Sequence, residues 1–218
     1  LGLLGLLAVA WGGPRVASAQ TSTTTIQNSN ADTRLELNYD GGLYVPGTFA
    51  LAAPADSIPA EGAGTRLMWY PAKAAFRAGR VGASLDGTQW DAANVGDHSV
   101  AFGVDTKASG GSATATGSGT TASGRRAMAT GNATTASGQN AMAVGWGTTA
   151  SGRSATAMGY FTTASRFRAV AMGNQTTASG SESTAMGKNT IASGNAATVM
   201  GDSTIAATDY SLSIGQSN

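Results

Sequence analysis

The chain has 218 residues, 13 Lys and Arg against 12 Asp and Glu, and a formal net charge of +1. Charged residues are 11% of the total, well below the roughly 25% of an ordinary soluble domain, and Leu, Ile, Val and Phe together number 32. This excludes a conventional globule with a thick aliphatic core, and near-neutrality argues against the high-net-charge kind of disorder. Much of the 41% hydrophobic content is alanine, and the absence of Cys excludes a disulfide framework or a thiolate metal site.

In chain order, Leu3 to Trp11 is a short apolar run that leads to Ala17-Ser18-Ala19 before Gln20. A run this short, ending in an Ala-x-Ala cleavage signal, reads as the tail of a secretory signal peptide over residues 1–19 and not as a membrane span. Residues 20–64 read as a leader. It is polar and flexible over 20–32. A β-hairpin follows, with Leu35, Leu37 and Tyr39 before the turn Asp40-Gly41-Gly42 and Leu43 and Val45 after it. The linker from Ala52 to Gly64 contains Pro54 and Pro59. Residues 65–95 gather the aromatics Trp69, Tyr70, Phe76 and Trp90. Strands are predicted over Arg66–Tyr70 and Ala75–Val81, joined by Pro71-Ala72-Lys73.

From Gly96 to the end the sequence repeats every 14 residues. One glycine series runs Gly103, Gly117, Gly131, Gly145, Gly159, Gly173, Gly187, Gly201 and Gly215; a second runs from Gly96 to Gly194, with Arg166 and Thr208 as departures. Between them lie Ala-x-Ala pairs such as Ala141/Ala143, then Thr-Thr-Ala-Ser, as in Thr148 to Ser151. Each unit is two seven-residue halves, Gly-x-x-Ala-x-Ala-x and Gly-x-x-Thr-x-Ala-Ser. Alternation with period two places the alanines on one face of a strand, and glycine at both corners is expected to supply the positive φ of a tight turn. The fold class is therefore all-β: a narrow parallel β-solenoid of 14-residue coils, stacked at about 4.8 Å per coil. The aromatic segment in front of it is read as its β-rich cap, shielding a bare alanine core and an unpaired ladder edge. The competing reading of the same aromatics is a sugar- or ligand-binding platform.

The outward positions of the first strand of each coil carry larger side chains. They form a stripe of Val100, Phe102, Met128, Met142, Val144, Met158, Val170, Met172, Met186, Met200 and Ile214. The matching position of the second strand is polar, with Thr121, Thr135, Thr149, Thr163 and Thr177. Buried methyl groups alone contribute little per coil, and a long apolar stripe is not expected to remain wet. Three copies are therefore expected to pack their stripes around a common axis, as a homotrimer. The competing arrangement turns Met and Val inward and Ala outward.

Ser99-Val-Ala-Phe-Gly103, Ala141-Met-Ala-Val-Gly145 and Ala155-Thr-Ala-Met-Gly159 resemble the Ser/Ala-x-Ala-Ile-Gly repeat of YadA-like trimeric autotransporter adhesin heads. The resemblance covers residues 96–218. It implies a left-handed parallel β-roll, a homotrimer, display on the bacterial outer surface or outer membrane, and adhesion. A neck, a heptad stalk and a C-terminal β-barrel anchor are not among these residues. A reading frame extending past Asn218 into a coiled coil and amphipathic strands is the expectation of the autotransporter reading. A self-cleaving chaperone domain there is the expectation of a released or phage-like fibre.

Catalytic constellations are not legible. His98 is the only His. Asp97, Asp105, Glu182, Asp202 and Asp209 hold no constant pair of repeat positions, so neither a carboxylate dyad nor a calcium-binding ladder is supported. Gly117-Ser-Gly-Thr-Thr-Ala122 matches a dinucleotide-loop pattern only because it falls in register with the repeat and opens no helix. No enzyme, cofactor, metal or nucleic-acid partner is expected, nor any membrane contact by the head. Arg125, Arg126, Arg153, Arg166 and Arg168, with Lys107, are the only charges between Thr106 and Ser181. They suggest a basic band for an acidic polysaccharide or a matrix protein. A structural spacer or fibre with no binding of its own is the alternative. Ice or mineral recognition is disfavoured because adjacent threonines alternate, leaving a single outward rank.

Overall fold

The structure is a computed structural model that describes residues 24–27, 33–37, 43–44, 58–83 and 86–216. The expected signal peptide, the hairpin turn and the first residues of the linker, 52–57, lie outside the described residues. The chain divides into two units, Leu1–Gly47 and Thr48–Asn218.

Among its described residues the first unit contains three strands, β1 (Thr24–Gln27), β2 (Thr33–Leu37) and β3 (Leu43–Tyr44). β2 and β3 pair antiparallel, Leu37 opposite Leu43, as the hairpin pattern predicts. β1 was not expected. It pairs antiparallel with β2, Thr24 opposite Leu37, within a segment read as flexible. Its Thr-Thr-Ile sequence is β-branched, and that local preference outweighs the polar composition around it.

The second unit opens with the antiparallel hairpin β4 (Gly64–Tyr70) and β5 (Ala75–Val81), Trp69 opposite Phe76. Pro71 begins a 3-10 turn between them, where its fixed φ fits and its missing N–H is not needed. Ala74 closes that turn at φ 46°, donating its N–H to the Pro71 carbonyl at 2.9 Å. The two strands fall where the sequence predicts them.

β5 then pairs in parallel with β6 (Val100–Val104), Phe76 beside Val100 and Gly79 beside Gly103. From β6 onward a long strand recurs every 14 residues as far as Leu212–Gln216, each parallel to the last and in register. With β4 and β5 these strands make an 11-stranded sheet, and the two-residue strands of the Thr-Ala halves make a facing sheet of 8. The result is the parallel solenoid of about eight turns that the period predicts.

Four buried columns fill the space between the sheets. Ala101, Ala115 and Ala129 begin one; Ala108, Ala122 and Ala136 begin the facing one; Ala113, Ala127 and Ala141 line the turn; Thr106, Thr120 and Thr134 line the other side. All twelve of these alanines and threonines are essentially inaccessible, because two strands this close leave room for a methyl and little more. Alanine faces in, and the Met and Val positions do not. Where serine replaces alanine in the turn column its hydroxyl has a partner: Ser183 Oγ donates to the Gly180 carbonyl at 2.7 Å. The threonine column differs. From Thr106 to Thr190, its seven Oγ1 atoms have no hydrogen-bond partner.

The glycine expectation holds for one series and fails for the other. Gly131 sits at φ 125°, and a Cβ there would land on the Gly145 carbonyl oxygen. Gly124 has no positive φ; it is glycine because a Cβ would land on the Gly138 carbonyl oxygen of the next coil. The left-handed corners are held mostly by other residues, Arg126, Asn140 and Arg168 at φ 52–57° on one corner and Ala133, Phe161 and Gln175 at φ 50–55° on the other. Such a conformation costs about 1–2 kcal/mol for a residue with a Cβ. Each corner N–H offsets that by joining the neighbouring coil, as Arg126 N–H to the Gly111 carbonyl (2.8 Å) and Ala133 N–H to the Ser118 carbonyl (2.9 Å).

Candidate binding surfaces

The outward face of the long strands displays two columns. In one, Met128 and Met142 are paired neighbours; in the other, Met158 and Met172 are. Phe102, Met128, Met142 and Met200 are exposed at 38–41%, and Ile214 at 68%. Val100, Val144, Met158, Val170, Met172 and Met186 are half-buried by one another along the stripe. Phe76 extends the stripe upward. It lies in register with Val100 and meets Phe102 edge-on, centroids 5.6 Å apart.

Of the four aromatics expected at the solenoid end, Trp90 and Tyr70 are fully buried. Trp90 packs with Met68 and Val81, Tyr70 with Ala75 and Val95. Trp69 is half-buried, and Phe76 belongs to the outer stripe. The residue that sits over the alanine column itself is Arg77. It stands in register with Ala101 and is wholly inaccessible. Its guanidinium donates to the Ser99 carbonyl (2.9 Å), Ser99 Oγ (2.7 Å), the Ala108 carbonyl (3.1 Å) and the Phe76 carbonyl (2.8 Å). Burial lowers its pKa well below the ordinary arginine range, to about 10.

The five arginines of the basic band come together on one corner. Arg125 and Arg126 follow Gly124, Arg153 follows Gly152, and Arg166 and Arg168 take the corresponding turn two coils below Gly138. The corner is tied coil to coil by Asn140 N–H to the Arg125 carbonyl and Arg168 N–H to the Arg153 carbonyl, both 2.9 Å. All five are exposed. Phe167, which sequence reasoning passed over, organises the lower end. The guanidinium carbons of Arg168 and Arg153 lie 4.6 and 5.5 Å from its ring centroid. Arg168 also pairs with Glu182 at 3.1 Å, ending the band. Arg166 replaces a glycine whose column is otherwise buried, and is displaced into solvent. Phe167, like Arg77, was visible in the sequence only as a departure from its register.

Among the described residues no helix is long and apolar enough to cross a membrane. The model of the YadA head domain repeat (2 copies) matches residues 95–120, 122–148, 150–166 and 167–190. No curated protein matches the chain. The coils over residues 95–190 are thus repeats of the YadA head type.

Proposed function

We propose, from the YadA-type head repeats of residues 95–190, that this chain is the head of an exported trimeric adhesin of the bacterial surface, non-enzymatic, binding through its corners and associating through its stripe. The observation that carries this reading is the orientation of the strands. Small alanines fill each coil, while Met, Val and Phe stand outward on stacked strands in two columns interspersed with Thr, one of them continuously apolar from Val144 through Met158, Met172, Met186 and Met200 to Ile214. A surface of that length and regularity suits the same surface of sister chains around a three-fold axis. The corner arginines then repeat around the axis and present positive charge to an acidic polysaccharide or a matrix protein.

Two measurements on the full chain test this. Sedimentation should give three times the chain mass, and Met142→Glu with Met158→Glu should lower it; a monomer for the unsubstituted chain removes the trimeric head. Retention on heparin should fall when Arg125, Arg126 and Arg153 are replaced by Ser; unchanged retention removes the basic corner as a binding surface. A chain that is trimeric but binds no matrix component is a spacer, and deletion of two coils then shortens it with no other effect.

A further inference from the structure

The corner that follows the long strands carries an exposed aromatic group midway down the stack. Trp146, Tyr160 and Phe161 touch one another, with ring centroids 4.7 Å apart for Trp146–Tyr160 and Tyr160–Phe161 and 5.0 Å for Trp146–Phe161. Each is exposed, at 43, 39 and 47%. The group is fixed in place. The Trp146 indole N–H donates to Asn132 Oδ1 at 2.6 Å, and the Phe161 ring lies against Gly147, where a Cβ would come within 2.7 Å of it.

The repeat acts as its own control. At the strand position of Trp146 and Tyr160, other coils place Ser118, Asn132, Asn174 and Lys188. At the left-handed position of Phe161 they place Ala133, Gln175 and Asn189 with the same φ, 52–55°. The backbone is the same with or without a ring, so the fold does not require these aromatics. From Ser118 to Gln175 this corner has no charged side chain, in contrast to the arginine corner.

We propose that Trp146, Tyr160 and Phe161 form a stacking platform for the pyranose rings of a neutral glycan. Aromatic faces take up the apolar C–H faces of a sugar. The exposed amides of Asn132 above and Asn174 and Gln175 below offer donors and acceptors to its hydroxyls without the cost of desolvating a charge. The inference rests on the adhesive reading and names a ligand class for it, separate from the polyanion assigned to the arginines.

The test is titration of the full chain with maltohexaose, cellohexaose and chitohexaose, followed by tryptophan fluorescence and calorimetry, with heparin retention measured alongside. At least one neutral hexasaccharide should bind saturably. The triple variant Trp146→Asn, Tyr160→Asn, Phe161→Gln copies residues that neighbouring coils already hold. It should melt at the same temperature, keep its heparin retention, and lose at least about tenfold in sugar affinity. No binding by any of the three sugars, or equal binding by the variant, overturns the platform. A fall in the variant's solution mass also overturns it and assigns the rings to a contact between chains. Heparin retention that survives any of these outcomes leaves the adhesive reading standing without the platform.

Discussion

The indole Nε1 of Trp90 donates to the main-chain carbonyl of Thr106 at 2.8 Å. Thr106 is the first member of the buried threonine column, so this one bond ties Trp90 to the first coil of the solenoid on the side of the short strands. Arg77, on the long strand β5, reaches both sheets, through Ser99 just before β6 and through the Ala108 carbonyl on the short-strand side.

Trp90→Phe keeps most of the ring area and removes the bond, leaving a buried carbonyl without its donor. A loss of about 1–3 kcal/mol is expected, and Trp90→Ala should cost about 3–5 kcal/mol. Denaturant unfolding of the full chain measures both; equal stability of all three proteins would show that Trp90 does not secure the first coil.

The unpartnered threonine hydroxyls make an unusual prediction of stabilisation. Thr148→Val preserves shape and removes a buried polar atom that has no partner. Its melting temperature should rise, by the equivalent of about 1 kcal/mol. Thr204 contrasts with it, since its Oγ1 reaches the Met200 carbonyl at 3.4 Å. Thr204→Val should gain less. A drop in melting for Thr148→Val would reveal a partner for that hydroxyl.

Glycine substitutions should divide by position. Gly145→Ala places a Cβ on the Gly159 carbonyl oxygen at φ 126°, so it should break the coil stack and abolish cooperative unfolding. Gly119→Ala meets nothing nearer than 3.9 Å, and the next coil already has Ala133 at that corner. It should fold normally and lose only about 1–2 kcal/mol, the cost of a Cβ at φ 60°. Circular dichroism melts of the pair distinguish a contact requirement from a general need for glycine.

Arg77 should leave a signature in alkali. Its folded pKa, lowered to about 10, lies below that of the unfolded chain, because the charged form is buried. Below pH 10 both states bind the proton and the burial cost is fully present. As pH rises through 10 the folded protein releases this proton while the unfolded chain keeps it, and stability from this group rises. Arg77→Met, which cannot titrate, should therefore lose ground against the parent between pH 9 and 11. A stability difference that stays constant over that range contradicts the assignment.

How much of this was legible beforehand depends on what repeats. The Ala143 and Ala150 columns, the outward Met142 and Val144, and the 14-residue coil all follow from alternation seen many times over. A pattern seen once is harder to read. β5 is a long strand of the stack with Gly79 in the glycine series, yet it stands 24 residues ahead of Gly103 and has Arg77 where an alanine recurs. Both the spacing and the residue type hid it. The left-handed corners were missed for another reason. Positive φ was assigned to glycine alone, whereas a ladder bond from each corner N–H lets Arg126, Phe161 or Tyr210 adopt it. The arginines' shared corner was implicit in the 14-residue register, but Phe167 beneath them has no repeat to announce it.

Those permissive corners have an evolutionary consequence. A unit whose backbone tolerates arginine, asparagine, glutamate or alanine at one bend, and alanine, phenylalanine or glutamine at the other, can change its outer chemistry by single codons, with no repacking inside. Near-identical units also invite unequal recombination, and each one gained or lost changes the reach of the rod by about 4.8 Å while leaving every other rung as it was. Reach and surface identity can therefore be selected separately.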